Sequence, residues 1–236
     1  PGLRLADAEA LRALPGVESV RPRVFQGEEL IEGPAGRRTA GIEGVDYGYL
    51  EQRSFRITAG RGLAPLDVRD RAQVAVVGRL LLADLFGSAD PIGRDFRIDG
   101  VRFRVIGVLE PMRLGMVPAD FSNVARRVYV PYTYLTRYYK GEGRIDQVLV
   151  TARPSADLGR LLRMGTALVR QRHGGATDFE IDNEAADVLK DLAMADGVLG
   201  GWNTVMMAIS AVTLLVGGIG LFSVLLISVR ERVREI

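Results

Sequence analysis

Residues 95–108 read DFRIDGVRFRVIGV, and they decide what kind of fold this is. Apolar and polar residues alternate on both sides of Asp99-Gly100, a dipeptide suited to the two-residue turn whose central residues both take positive φ. In that register Phe96, Ile98, Val101, Phe103 and Val105 share one face. Asp95, Arg97, Arg102 and Arg104 share the other. The stretch is therefore predicted to be a β-hairpin with one buried side.

Its neighbours extend the pattern. Residues 73–78 read as a short buried strand, 80–86 as a short helix stopped by Gly87, and 128–130 as a strand interrupted by Pro131. Two pieces of mixed character flank this strand-rich middle. In the first, Asp7 is placed to cap a helix carrying Ala10, Leu11 and Leu14, which Pro15-Gly16 terminates. An extended segment over 17–25 follows, confined to an edge by Pro22. Residues 29–32 and 38–45 then flank Gly33-Pro34-Ala35-Gly36 as a loose hairpin. In the second piece, 147–151 read as a strand. Ser155 is then predicted to cap a helix with Leu158, Leu161, Leu162, Leu168 and Val169 on one stripe, closed by Gly174-Gly175. Phe179 and Ile181 alternate as a further strand. Two α/β pieces separated by a β-rich stretch predict one discontinuous domain with an insertion.

The C-terminal region has a different composition. The chain of 236 residues is 47% hydrophobic and 25% charged, yet residues 197–229 contain no Asp, Glu, Lys or Arg. Their apolar core, 205–229, would span about 37 Å as a helix, against roughly 30 Å of hydrocarbon. A transmembrane helix is the expected reading, because buried helices of this length keep a polar face. Arg230, Arg232 and Arg234 follow it, whereas Asp187, Asp191 and Asp196 precede it with only Lys190 among them. The positive-inside rule then puts 230–236 in the cytoplasm and residues 1–204 outside, with Trp202 near the outer interface. Delivery of the outer part implies a membrane segment or signal ahead of Pro1.

Composition excludes several chemistries. There is no cysteine and a single histidine, His173, which removes thiol nucleophiles, zinc fingers, iron–sulfur clusters and multi-histidine metal sites. Lys+Arg 31 against Asp+Glu 29 gives +2, too little for a nucleic-acid binder. Neither a GxSxG elbow, an HExxH motif nor a GxxxxGK[ST] phosphate loop occurs. His173 could serve as a general base, but its place in the last turn of a helix favours capping of carbonyls. Arg126, Arg127, Tyr129, Tyr132, Tyr134, Arg137, Tyr138 and Tyr139 could form a stacking groove, though a strand and an amphipathic helix explain them better. Arg160, Arg163 and Arg170 read as a solvated face. Ser210, Thr213, Gly217 and Gly220 recur at spacings of three and four, which suits close packing of a second helix. Arg230, Glu231, Arg234 and Glu235 present both charge signs at helical spacings, suited either to docking on a cytoplasmic partner or to plain anchoring.

Taken in order, these residues resemble the MacB/FtsX-like family of ABC-transporter permeases. Gly44-Val45-Asp46 and Ala59-Gly60-Arg61-Gly62 are similar to the family's GVD and xGRxL stretches. Residues 72–78 (AQVAVVG), Leu85-Phe86-Gly87 and Asp90-Pro91-Ile92-Gly93 resemble its VAVLG, LFG and xPxG run. Residues 96–109 (FRIDGVRFRVIGVL) resemble IxIxGxxFxVIGVL, and Val128-Tyr129-Val130-Pro131 resembles xYVP. Residues 214–220 (LLVGGIG) and 231–236 (ERVREI) look like the family's second membrane helix and the charged segment behind it.

The resemblance implies an α+β fold made of a discontinuous α/β porter-like subdomain (1–59 and 146–184) with an inserted β-rich subdomain (60–145). A stalk over 185–204, the transmembrane α-helix 205–229 and a cytoplasmic coupling segment 230–236 follow. It implies no cofactor in this chain and ATP on a partner ABC ATPase, fused or separate. It also implies a second permease subunit as a dimer partner, an extracytoplasmic adaptor in some systems, and the bacterial inner membrane as location. The implied function is a non-enzymatic permease subunit that couples cytoplasmic ATP hydrolysis to an outer domain, exporting or extracting a peptide, drug, lipid or lipoprotein. The alternative is a membrane-anchored binding or signalling module that regulates an envelope enzyme.

Overall fold

The computed structural model describes residues 2–53, 55–110, 122–141, 143–176, 178–182, 202 and 206–220. Two compact units divide the chain, Pro1–Glu180 and Ile181–Ile236. In the first, the elements run α1 (Leu5–Arg12), β1 (Val17–Glu32), β2 (Arg37–Val45), α2 (Tyr49–Gln52), β3 (Arg56–Gly60), α3 (Pro65–Arg69) and β4 (Val74–Gly78). A 3-10 turn (Arg79–Leu81) leads into α4 (Leu82–Phe86), then β5 (Asp95–Ile98), β6 (Val101–Glu110) and α5 (Ser122–Ala125). The unit continues with β7 (Arg127–Pro131), α6 (Tyr132–Tyr138), β8 (Gln147–Ala152) and α7 (Leu158–Arg172).

The predicted hairpin is present in the expected register. Ile98 faces Val101 and Phe96 faces Phe103 across the pair. Asp99 and Gly100 have φ of 46° and 77°, the backbone a two-residue hairpin turn requires. Phe96, Ile98, Phe103 and Val105 are buried. Gly100→Val puts a β-branched residue at positive φ, so it is expected to cost about 1–3 kcal/mol. Thermal unfolding of this variant checks the turn: an unchanged Tm contradicts the assignment.

Strand pairing closes a ring. The order β2-β7-β4-β6-β5-β1 is completed by direct pairing of β1 with β2, giving a six-stranded barrel with β3 added beside β6. β2–β7 and β4–β6 are parallel and the other pairs antiparallel. The seam between β1 and β5 is short, Ile31 opposite Ile98 and Glu32 opposite Arg97. Closure removes free edges and fills the interior with side chains. Phe103 is wedged there against Phe96 and Tyr134, with ring centroids 6.3 and 5.0 Å away. A second apolar cluster, built on Tyr49, Leu50, Leu109 and Tyr129, packs outside the barrel wall.

β1 is longer than the sequence suggested. Instead of two strands over 17–25 and 29–32 it is one strand of 16 residues, whose irregular step falls between Phe25 and Glu28. Among the described residues its first half, Val17 to Arg23, pairs with β8 and with no other strand. Pro22 sits in that half, where among the described residues one side of β1 carries no paired strand and a missing N–H breaks no ladder bond. Its second half is barrel wall. The far half of β1 and all of β2 therefore share a sheet with β5 and β7, and strand pairing cuts across the expected 59/60 division. The two ends of this unit meet in the β1–β8 ribbon, with α1 and α7 packed against each other.

Three local expectations are corrected. Asp7 stands inside the first turn of α1, where its carboxylate accepts the Arg4 backbone N–H at 2.9 Å, and the N-cap is Arg4. Asp157, not Ser155, caps α7, accepting from the Arg160 N–H at 3.0 Å; it is nearer the first helical residue. Residues 178–182 form no strand, since Phe179 packs against the core without a strand partner.

In the second unit, residues 206–220 are helical and exposed. Among the described residues no helix is long and apolar enough to cross a membrane. Residues 205 and 221–229 of the expected span, the coupling segment 230–236 and all of the expected stalk 185–204 except Trp202 lie outside the described residues.

Candidate functional site

The place where the ribbon becomes barrel is marked by a buried ion cluster. Glu43 on β2 has a side chain only 3% exposed. Its Oε1 accepts from Arg23 Nε at 2.9 Å and Nη2 at 2.5 Å, and its Oε2 accepts from Arg127 Nη1 at 3.0 Å. Alternation on β2 points Glu43 to the side opposite Ile42, and β1 and β7 flank β2 and deliver one arginine each. Arg23 is the last ribbon residue of β1. It also donates to the Gln147 side chain on β8, and its guanidinium lies 4.8 Å from the ring centroids of Phe25 and of Tyr49. One arginine thus binds ribbon, barrel and the outer apolar cluster together. A carboxylate with both oxygens bonded this way is held firmly.

The surroundings are dry. Burial, and then the negative charge of Glu43, pushes the Tyr49 phenol up to about 12. Burial likewise raises Tyr129 far above the usual phenol range, so both rings stay neutral. Asp46 nearby is buried, and burial raises its carboxyl although the Tyr47 N–H donates to it at 2.9 Å. No nucleophile–base pair sits in this cluster, and among the described residues no group of ligating side chains could hold a metal. What the arrangement can do is mechanical: it locks the long strand β1 at the point where it passes between two hydrogen-bonded assemblies.

The motif glycines have structural work of the same kind. Gly60 has φ +72°, and a Cβ there would lie 2.1 Å from the Ile106 carbonyl oxygen; one on Gly107 would lie 2.2 Å from that of Arg61. These two residues let β3 and the following turn lie on β6, where Arg61 then pairs with Asp67 at 2.5 Å. An open cleft of about 590 Å³ at the hairpin ends is lined by Glu32, Arg37, Asp95, Arg97 and Arg102 among others, a mixed-charge rim with no buried polar anchor.

Of the residues singled out in the sequence, Ser210, Thr213, Gly217 and Gly220 all lie on the 206–220 helix, exposed. A Cβ on either glycine would meet open space, and the Thr213 hydroxyl donates back to the Ile209 carbonyl at 2.8 Å. Arg230, Glu231, Arg234 and Glu235 lie outside the described residues. Tyr129 and Tyr134 are buried on a strand and a helix, which excludes them from an open stacking groove, and Arg160, Arg163 and Arg170 face solvent. His173 is the C-cap residue of α7, but its imidazole bonds two carboxylates and not helix carbonyls. Glu43 was missed: one glutamate between glycines in GIEGV carries no signal of burial.

Comparison with known proteins gives a consistent result. The family of MacB-like periplasmic core domains matches residues 1–163. The macrolide export ATP-binding/permease protein MacB 1/2 of Paracoccus denitrificans is 31% identical over 231 residues, covering 98% of this chain and 33% of that protein. The pyoverdine export ATP-binding/permease protein PvdT of Pseudomonas aeruginosa is 31% identical over 230 residues, covering 98% and 34%. The chain spans about a third of the length of these relatives. Among solved structures, the periplasmic region of MacB from Actinobacillus actinomycetemcomitans superposes with a TM-score of 0.69 at 23% identity, covering 82% of this chain and 83% of that one. The extracellular domain of the noncanonic ABC-type transporter YknZ from Gram-positive bacteria gives 0.64 at 18%, covering 77% and 89%. The last two likenesses concern the fold.

Proposed function

The chain belongs to the MacB-like periplasmic core domain family of ABC-transporter permeases, and from that premise we propose that it is the extracytoplasmic, movement-receiving part of an ABC exporter. The family match over residues 1–163 carries this reading. ATP is bound and hydrolysed on a cytoplasmic nucleotide-binding domain, fused or separate, and two permease copies work as a dimer in the inner membrane, in some systems with an adaptor outside. The cargo is a peptide, drug, lipid or lipoprotein already on the outer side; the relatives' names carry a macrolide and a pyoverdine. The domain acts as a lever. Movement starting at Arg230, Glu231, Arg234 and Glu235 passes along the helix whose stripe Ser210, Thr213, Gly217 and Gly220 packs on a neighbour, then through the stalk 185–204. β1, shared by ribbon and barrel, spreads it through the outer domain.

The test uses the full-length permease with its ATPase in membranes. Charge reversal at Glu231 and Glu235 (Glu231→Lys with Glu235→Lys) is expected to lower permease-stimulated ATP turnover while leaving the amount of protein in the membrane unchanged. Normal turnover and export in the double variant would remove the coupling role from these residues and leave them as an anchor.

A further inference from the structure

His173, the sole histidine, is enclosed between two carboxylates at the end of α7. Its Nδ1 lies 2.6 Å from Asp178 Oδ1 and its Nε2 lies 3.2 Å from Asp7 Oδ2, with 8% of the side chain exposed. Asp7 comes from the first turn of α1 and Asp178 from the segment that follows α7. The Phe179 ring stands edge-on to the imidazole at 5.9 Å. Asp178 also accepts the backbone N–H of Gly2 at 2.8 Å, so the residues ahead of α1 and those after α7 meet here. Among the described residues a further charged group, Arg172, joins the cluster and donates from Nε to Asp7 Oδ1 at 2.7 Å.

A neutral imidazole carries one N–H and one bare nitrogen. With a carboxylate oxygen opposite each ring nitrogen, the neutral form sets one lone pair against another acceptor, whereas the imidazolium donates to both. Charge leads the same way. The two carboxylates are balanced by Arg172 and a charged His173, and loss of the ring proton leaves the cluster one negative charge in excess.

We propose that His173 is a protonation-operated clasp: charged, it fastens the segment 178–180, and through Asp178 also Gly2, to the first turn of α1; neutral, it lets them go. The clasp does not depend on the transport reading. An extracytoplasmic domain takes the pH of its surroundings, so the device responds to outside acidity.

The electrostatics agree in sign. Hydrogen bonds to Asp178 and then Asp7 raise His173 above its ordinary 6.5. Its contribution is thus fully present below that value and is lost as pH rises through the higher folded-state value. The bond from His173, then that from Gly2, lowers Asp178 below 3.8, so the acid side of the clasp fails only in stronger acid. Burial pushes Asp7 up, but Arg172, the Arg4 N–H and His173 together hold it low. The clasp is closed in mild acid and opens on the alkaline side.

Hydrogen exchange of the whole chain in detergent micelles, corrected for intrinsic rates, tests this. Amides 178–180 are expected to lose protection roughly threefold or more between about pH 6 and pH 9, while β6 is unaffected. His173→Gln abolishes the difference. Equal corrected protection at the two pH values, or a pH dependence surviving in His173→Gln, overturns the proposal. If that variant fails to fold, ¹⁵N shifts of the single histidine in the unaltered chain decide: a titration midpoint above about 6.5 supports the clasp, and one at or below it refutes it.

Discussion

Glu43→Ala is expected to lower the stability of the outer domain by about 3–5 kcal/mol, because it leaves the largely buried Arg23 without its counter-charge. The Arg23 side chain is 12% exposed and that of Arg127 is 37% exposed, so most of the loss comes through Arg23. Arg127→Met, which removes the better-hydrated partner, should cost far less. Replacing the pair together, Glu43→Leu with Arg23→Met, should recover much of the loss, since an apolar pair of similar volume escapes the desolvation penalty. Urea unfolding followed by tryptophan-independent far-UV dichroism measures all three. A Glu43→Ala loss below about 1 kcal/mol would show that the cluster is not the lock described above.

Phe103→Ala carries the other large effect, again about 3–5 kcal/mol. The ring is 1% exposed inside a closed ring of strands that cannot collapse onto the vacated space, and Phe96 and Tyr134 lose their aromatic neighbour together. Phe103→Leu keeps most of the volume and should cost about 1–2 kcal/mol. Denaturant midpoints at constant slope would establish both values. Equal costs for the two variants would mean that the cavity contributes nothing, contrary to a tightly filled barrel.

Local features were legible in the sequence and distant ones were not. The Asp99-Gly100 turn, the buried face of its hairpin and the Gly174-Gly175 stop after α7 all rest on neighbours a few residues apart. Periodicity and turn chemistry therefore reveal them. The ring of strands was hidden because its decisive pairs, β2 with β7 and β1 with β5, join segments far apart in the chain and leave no trace in alternation. Glu43 was hidden for the same reason: its arginines lie 20 and 84 residues away. The position of His173 at the end of α7 was readable, but its role was not, since Asp7 is 166 residues distant. The resemblance to the permease family reached further than periodicity, and its motifs combine core side chains such as Val76 and Leu109 with glycines that close backbone approach requires, such as Gly60 and Gly107.

The single run of β1 through ribbon and barrel has a bearing on how the domain carries load. In antiparallel pairs the inter-strand bonds lie across the strand direction. A tensile pull along β1 therefore stresses its bonds to β8 and to β2 in shear, many at once, and does not peel them open in sequence. β1 is in that sense a tie-rod, and the arginine at its midpoint is the pin that stops it from sliding.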